Sequence, residues 1–316
     1  MTFSQEVKAE VLKSLKSIKG CCAASFLTAV LKSIGSLTLE FKRLSFTVES
    51  DNHDFLTVCK NIAQTHLQCK AAIESSNVNA KGAAVYGCNF ESNLGDKLGL
   101  TARGADGLVF CDDLDKLIPD AVCCKRAFMQ GLFLSAGSVV IPVADGITGE
   151  NKLNTKYHLE LRFADAAFAD AVCAAFAEMD FRKLQRKNHI VLYQKDSEKI
   201  ADFLVYIGAT RGKLKLEDII IVRSMRNTAN RQRNCSIANI DKALDAAARQ
   251  MEAIKTLKRV GLYANLPVTL KDIADIRLDN PEATLDEIAA ILKISKSGAN
   301  HRFGKIIELA DLQEIK

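Results

Sequence analysis

Apolar residues follow two spacings along this chain, one typical of helices and the other typical of strands. In residues 2–19 they fall on one helical face, which predicts an N-terminal helix. Residues 157–163 alternate apolar and polar side chains, which predicts a strand. Two short strands are also predicted after Gly35. Three further helices and a hairpin are predicted at 54–67, 165–178, 196–208 and 189–194.

A block of 17 residues occurs twice in the chain, 102 positions apart. Residues 21–37 read CCAASFLTAVLKSIGSL and residues 123–139 read CCKRAFMQGLFLSAGSV, with six identical positions. Each block predicts a helix of small and apolar residues, followed by Gly-Ser and a strand. A repeat of this length predicts two copies of one α+β unit, related by a pseudo-two-fold axis.

Between the second copy and the C-terminal segment, the chain becomes strongly polar. Residues 209–235 are rich in arginine and asparagine and predict an irregular basic linker. A helix is expected from Ser236 to Gly261, because its apolar residues form one stripe and glycine commonly ends a helix. The stripe consists of Ile240, Leu244, Ala247, Met251 and Ile254. The predicted domains are residues 1–118, 119–210, 211–262 and 263–316.

The C-terminal segment has the spacing of a helix-turn-helix motif. Residues 269–278 predict a first helix, and Thr284 with Glu287 has the spacing of a capping box that begins a second one. A tight turn at 293–295 leads into a third helix. The residues expected to face inward on it are Ala299, Phe303, Ile306 and Ala310. The alternative is an ordinary three-helix unit with a solvated polar face.

Basic residues are concentrated in two segments, although the formal net charge is only +5. Residues 211–235 contain seven Arg or Lys and two acids, and residues 295–305 contain three basic residues and no acid. Such concentration is typical of a phosphate-binding surface. The third helix is expected in the major groove of double-stranded DNA, with linker arginines on phosphates. The candidate DNA-binding residues are Arg226, Arg231, Arg233, Ser295, Lys296, Ser297, Asn300, His301, Arg302 and Lys305.

Composition argues against membrane and secreted classes. The 316 residues are 48% hydrophobic and 26% charged, which is ordinary for a globular protein. No run of 18 apolar residues occurs and the start, MTFSQEVKAE, has no signal-peptide core, so we expect a cytoplasmic protein. If it binds DNA as its basic segments predict, we expect it to be nucleoid-associated. The ten cysteines have no CxxC or zinc-finger spacing and are interpreted as small buried residues. No metal and no cofactor is expected, although a redox or metal role for the cysteines stays open.

The duplicated block resembles the central helix of the LAGLIDADG homing endonucleases. In that family each helix delivers an acidic residue, directly before a glycine, to a shared metal site. In this chain those two positions hold Ile34 and Ala136, which supply no oxygen for Mg²⁺. Two-metal cleavage of DNA is therefore not expected, and the chain is predicted not to be an enzyme. A residual endonuclease that uses Asp145 or Glu160 is the remaining enzyme alternative.

The whole chain closely resembles the WhiA family of bacterial sporulation and cell-division regulators. The matching motifs are RAFMQGLFLSAGSV at 126–139, YHLELRF at 157–163, NRQRNCSIAN at 230–239, LPVTLKDIADIRLDNPEATLDEIAAIL at 266–292 and KSGANHRFGKI at 296–306. The resemblance implies an α+β fold in which a LAGLIDADG-like αββαββα-type unit is duplicated, followed by an all-α helix-turn-helix domain.

The same resemblance implies a transcriptional regulator that binds promoter DNA and acts in cell division, chromosome segregation or sporulation without cutting DNA. Other transcription or cell-division proteins are possible partners. The alternative function is a protein-interaction or ligand-sensing module in which DNA binding is secondary.

Overall fold

The chain folds as two units, and the division between them falls inside one long helix. The computed structural model describes residues 1–40, 43–78, 82–104, 107–111, 113–142 and 156–314. The first unit is Met1–Val222 and the second is Arg223–Lys316. No helix among the described residues is both long and apolar enough to cross a membrane. The polar loop at 145–155 lies outside the described residues, as does Asp145.

The N-terminal helix α1 spans Phe3–Ser14 and begins at a capping box between Thr2 and Gln5. Capping boxes satisfy two of the backbone N–H groups that a helix start leaves unpaired. Val7 and Val11 of α1 are completely buried. The predicted N-terminal helix is therefore present, with the apolar face inward.

The first repeat contains six elements in the order helix, strand, strand, helix, strand, strand. They are α2 (Gly20–Ile34), β1 (Gly35–Glu40), β2 (Arg43–Ser50), α3 (His53–Leu67), β3 (Ala71–Val78) and β4 (Ala84–Phe90). The four strands form one antiparallel sheet in the order β1-β2-β4-β3. Four short elements follow: α4 (Leu94–Lys97), β5 (Thr101–Gly104), β6 (Gly107–Phe110) and α5 (Leu114–Leu117).

The second repeat has the same order in its first six elements and the same sheet topology, and one further helix follows. Its elements are α6 (Val122–Ala136), β7 (Gly137–Val140), β8 (His158–Phe163), α7 (Ala166–Ala175), β9 (Arg182–Arg186), β10 (His189–Gln194) and α8 (Ser197–Tyr206). The strand order β7-β8-β10-β9 matches that of the first sheet position by position. The duplicated α+β fold is confirmed.

The alternating pattern along the strands determines which face of each sheet packs on the helices. Leu161 of β8 lies opposite Leu192 of β10, and both side chains are completely buried. The neighbouring pair, Glu160 and Tyr193, points to the opposite face because side chains alternate along a strand. Each sheet therefore has one face in the core and one open face.

Helices α2 and α6 pack side by side, and equivalent residues of the two repeats meet along their length. The Ser33 hydroxyl lies 2.6 Å from the hydroxyl of Ser135, its counterpart 102 positions later. A Cβ placed on Gly131 would lie only 2.6 Å from the carbonyl oxygen of Phe26 and 3.0 Å from the Cβ of Ala29. Glycine therefore permits a close helix–helix approach at the pseudo-two-fold axis.

The predicted irregular linker at 209–235 is wrong, because these residues belong to a continuous helix, α9, Thr210–Arg259. No proline occurs in this helix, and after Gly212 no glycine occurs before Gly261, so no residue type interrupts it. Gly261 adopts a positive φ of 77°, which confirms the predicted helix stop.

The predicted apolar stripe on α9 is buried only near its C-terminal end. Ala247 and Ile254 are buried, whereas Ile240 and Leu244 remain 58% and 51% exposed. The residues of the stripe are therefore helical, as predicted, but only those near the C-terminal end of α9 pack on a core.

The second unit is built from the end of α9 and three helices, α10 (Val268–Asp279), α11 (Leu285–Ile291) and α12 (Lys296–Glu314). Ile254, Ile273, Ile288 and Phe303 come from these four helices and meet in one apolar core. The side chain of Arg277 is also buried there. Its Nε donates to Oε1 of Gln250 at 3.0 Å, and its guanidinium lies 5.3 Å from the centre of the Phe303 ring.

Candidate nucleic-acid interface

The turn between α11 and α12 has the tight geometry of a helix-turn-helix motif. Thr284 caps α11 through the predicted capping box, accepting from the Glu287 backbone while its own N–H donates to the Glu287 carboxylate at 2.7 Å. Lys293 adopts a left-handed φ of 53°, and the Ile294 N–H returns to the Ala289 carbonyl at 3.0 Å. These contacts fix where α12 begins.

Helix α12 presents one buried face and one polar face, as its sequence predicts. The four residues predicted to face inward, Ala299, Phe303, Ile306 and Ala310, are all buried. The side chains expected at base edges or phosphates are exposed at Ser297, Asn300, His301 and Lys305. A helix with this arrangement can enter a major groove with its first turns foremost.

Three of the predicted DNA-binding residues on α12 also make contacts within the protein. The Ser295 hydroxyl accepts the Gly298 N–H at 3.0 Å and so caps α12. Lys296 pairs with Asp286 at 2.6 Å, in an exposed ion pair. Half-buried Arg302 donates to the Thr269 carbonyl at 3.4 Å. Because contacts of this kind are weak at an exposed surface, the two basic groups can exchange them for DNA.

The helical form of α9 places the predicted phosphate-binding arginines on different faces. Arg226, Arg231 and Arg233 are all exposed. At 100° per residue, Arg226 and Arg233 lie within about 20° of one another, whereas Arg231 lies about 140° from Arg226. One straight DNA backbone along this helix therefore cannot contact all three.

A second basic row on α9 borders the polar face of α12. Lys242 and Arg249 are exposed and line one groove with Asn300 and Gly304. Arg231 lies within about 20° of Lys242 around the helix. We call Arg231, Lys242 and Arg249 the basic row. Of these three residues, Arg231 is predicted from the sequence as a DNA-binding residue. Lys242 and Arg249 lie in a segment that contains both acidic and basic residues. Their seven-residue spacing indicates that they share one face of a helix.

Among the described residues, no carboxylate lines the pocket at the ends of α2 and α6. Ile34 and Ala136 lie there and line this pocket together with Lys8, Arg162 and His189. The ammonium of Lys8 donates to the Leu134 carbonyl at 3.0 Å, and burial lowers its pKa to about 8. Mg²⁺ requires oxygen ligands, and basic groups repel it. The donor set therefore suits an anionic group such as a phosphate and does not fit the endonuclease metal.

Glu160, the other candidate acid, is held in an ion pair on the open face of the second sheet. Its carboxylate accepts from the Arg162 Nε at 2.9 Å, and it lies 3.3 Å from the His158 Nε2. Burial acts to raise the pKa of Glu160, but the hydrogen bonds and charges of Arg162 and His158 outweigh it and hold that pKa below its ordinary range. The carboxylate is thus ionised and already neutralised by its neighbours.

The open faces of the two sheets carry opposite charge. In the second sheet, Arg182 and Arg186 of β9 lie opposite Tyr193 and His189 of β10. This register places both arginines on the face that carries Arg162. These residues are not among those predicted from the sequence, although strand β9 is basic and exposed along its whole length.

In the first sheet, the equivalent face presents Glu49 and Glu74. Both lie opposite Gly87 of β4, one on each neighbouring strand. Glu74 also accepts a hydrogen bond from Asn89. An acidic face repels phosphates, so among the described residues the open sheet face of the second repeat is the better suited to nucleic acid.

The fold and these surfaces define a class of protein in which a LAGLIDADG-like platform, with Ile34 and Ala136 at the ends of its central helices, precedes a helix-turn-helix domain. Residues 125–226 match the family described as WhiA LAGLIDADG-like domain, and residues 229–310 match the family described as WhiA C-terminal HTH domain. The chain belongs to the WhiA family, as its motifs predict.

Relatives and a solved structure agree with this membership along nearly the whole chain. It is 34% identical over 318 residues to "Probable cell division protein WhiA" of Bacillus velezensis, covering 98% of this chain and 96% of that relative. The same values hold for the protein of that name from Bacillus subtilis. The crystal structure of full-length DUF199/WhiA from "Thermatoga maritima" has a TM-score of 0.57 at 22% identity, with 98% of each chain covered, and thus has the same fold.

Proposed function

We propose that this protein is a transcriptional regulator that binds double-stranded promoter DNA in a sequence-specific manner and does not cut it. The observation that carries the proposal is the polar face of α12, whose exposed Asn300 and His301 stand on a helix anchored by four buried residues. Asparagine can pair with the edge of adenine, which is a base-specific contact.

The basic row supplies the contacts to phosphates that hold α12 in register. Phosphate contacts provide most of the affinity of such proteins, while base contacts provide the sequence preference. The open face of the second sheet, with Arg162, Arg182 and Arg186, contributes a further DNA surface on the LAGLIDADG-like unit.

A role in cell division, chromosome segregation or sporulation is proposed from the family. The relatives in Bacillus carry the name of a cell-division protein. A regulator of this kind acts on the nucleoid, so we propose a cytoplasmic, nucleoid-associated location.

The absence of nuclease activity is proposed from the side chains at the ends of the central helices. Ile34 and Ala136 stand where the endonucleases have acidic ligands, and the basic side chain of Lys8 lines the same pocket. Incubation of the protein with plasmid and promoter DNA in Mg²⁺ or Mn²⁺ should leave the DNA intact on a gel. Metal-dependent cleavage that is lost in a Glu160→Gln variant would contradict this.

Substitution of Arg302 tests the assignment of α12. If Arg302 leaves the Thr269 carbonyl to pair with a base, Arg302→Ala weakens specific binding by roughly 1–3 kcal/mol and relaxes the preference at one base pair. Glu308→Gln, an exposed change farther along α12, is the control. Equal affinity and equal sequence preference in both variants would count against the assignment.

A protein-interaction role is the second candidate, and one observation favours it. Ile237, Ile240 and Leu244 are each at least half exposed, and their spacing places them on one face of α9. Apolar side chains grouped in this way commonly mark a surface for a protein partner, such as another transcription or cell-division protein. DNA binding that depends on such a partner would favour this candidate.

A further inference from the structure

The two cysteine pairs of the repeats meet at the N-terminal ends of the central helices. Cys21 and Cys22 are the second and third residues of α2, and Cys123 and Cys124 are the second and third residues of α6. Their four sulfur atoms all lie within 4.8 Å of one another. We call this group the four-cysteine cluster. It lies at the opposite end of α2 from Ser33, about 18 Å away by helix rise, and is separate from the pocket at Ile34.

The distances within the cluster agree with tetrahedral coordination of one ion. The Sγ atoms are 3.8 Å apart in the Cys21–Cys22 pair and 3.9 Å apart in the Cys123–Cys124 pair. Four thiolates at about 2.3 Å from a central zinc lie about 3.8 Å from one another in a regular tetrahedron. A disulfide requires sulfurs about 2.05 Å apart. An iron–sulfur cluster distributes its thiolates over several irons, so a single ion fits these distances better.

The two helix ends at the cluster favour negative charge. The residues that precede the two helices, Lys19 and Ala121, make no side-chain capping hydrogen bond. The positive ends of both helix dipoles therefore lie beside the cluster without a capping side chain, and they favour negative charge there.

Burial divides the four thiols into two kinds. Cys22 and Cys124 are buried, while Cys21 and Cys123 are exposed and give an ion access from solvent. Burial raises the pKa of the Cys22 and Cys124 thiols, whereas hydrogen bonds from neighbouring thiols lower the pKa of Cys123. Zinc binds thiolates, so binding of the ion displaces the protons of the thiols that are protonated.

We propose that the four-cysteine cluster binds one Zn²⁺ ion through four thiolates. Each thiol that is protonated beforehand releases one proton to solvent, and no electron transfer takes place. Because two ligands come from each repeat, the ion joins the repeats across the pseudo-two-fold axis and stabilises the contact between α2 and α6. The site is structural, since four protein ligands leave no position for a substrate.

Metal content and absorption spectra test this proposal on the full-length protein. The reduced, metal-free protein is loaded with Zn²⁺ or Co²⁺, passed through a desalting column and analysed for bound metal. We expect one ion per chain, and for Co²⁺ the intense thiolate-to-cobalt absorption of a tetrahedral sulfur site. Zinc should also raise the unfolding temperature, because an ion that binds only the folded state stabilises it.

Serine variants identify the ligands. Cys21→Ser and Cys123→Ser replace exposed residues, so they leave the packing of the core intact, and circular dichroism checks this. Each should weaken Zn²⁺ binding at least about tenfold in competition with a chromophoric chelator. Cys235→Ser, at an exposed cysteine of α9, is the matched control and should bind zinc like the unmodified protein.

Several results would overturn the proposal. The proposal is wrong if the Cys21→Ser variant binds as much zinc as the Cys235→Ser control. It is also wrong if the cobalt complex shows no thiolate-to-cobalt absorption. A disulfide within the cluster and no uptake of zinc after its reduction would also contradict it. The cobalt spectrum of the unmodified protein decides the matter without any variant, so a variant that fails to fold does not weaken the test.

Discussion

The basic row of α9 makes a quantitative prediction about the salt dependence of DNA binding. Lys242 and Arg249 line the groove next to Asn300, whereas Arg233 lies about 180° from Lys242 around the helix. Each phosphate contact contributes about 0.9 to the slope of log affinity against log salt. The Lys242→Ala/Arg249→Ala variant should therefore lower the magnitude of this slope by about 1.8. Between 50 and 200 mM salt, the loss of affinity should become about tenfold smaller.

The assay is a fluorescence-anisotropy titration of a promoter duplex at several salt concentrations. Arg226→Ala/Arg233→Ala is the matched control, because it removes the same charge from the opposite face of the same helix. We expect this control to change the slope by less than half as much. An equal or larger change in the control would refute the proposed orientation of α9, and an unchanged slope in both variants would refute phosphate binding by α9.

Four further predictions concern stability and follow from contacts within each unit. Arg277→Ala leaves its buried hydrogen-bond partners unpaired and should destabilise the second unit by about 3 kcal/mol, measured by calorimetry on the full chain. Thr284→Ala removes a helix cap and should cost about 1 kcal/mol in the same assay, with Thr284→Ser close to the unmodified protein. Gly131→Val forces a side chain against the Phe26 carbonyl and should cost at least about 1–3 kcal/mol; an unchanged melting temperature would contradict the close helix contact. The pKa of Glu160 is lowered in the folded state, so its ionised carboxylate stabilises the fold at pH values above its unfolded pKa. This stabilisation is lost as the pH falls through the folded pKa. Glu160→Gln should therefore reduce the acid-induced loss of stability measured by circular dichroism.

The helix-turn-helix unit could be predicted almost residue by residue because its signals are local. The capping box joins Thr284 and Glu287, which are three residues apart. The inward positions of α12 follow from spacing along one helix, as at Ala299 and Phe303. No knowledge of distant contacts is needed for either prediction.

The long helix α9 was predicted wrongly in its first half because burial does not mark it. Residues 224–235 are exposed on every face, and no apolar stripe marks a helical period among them. Its arginines and asparagines were instead interpreted as a linker. The absence of proline and of glycine after Gly212 was the better indicator of structure in this segment.

The features that depend on contacts between the two repeats could not be predicted from spacing. The hydroxyls of Ser33 and Ser135 meet across 102 residues, and Lys8 reaches the pocket near Ala136 from a separate helix. The duplicated block indicated that two equivalent helices exist, but not which of their side chains meet. The same reason explains why the cysteine pairs showed no metal-binding spacing along the chain.

The central claim is that α12 reads the sequence of duplex DNA, and one comparison tests it directly. The affinity of the unmodified protein, Asn300→Ala and Glu308→Gln is measured on a selected promoter site and on a scrambled duplex of equal length, with Mg²⁺ present and the DNA examined afterwards on a gel. We predict that Asn300→Ala loses roughly 1–3 kcal/mol on the promoter site only, that Glu308→Gln keeps its preference, and that the DNA stays intact. Equal losses on both duplexes, or cut DNA, would contradict the claim.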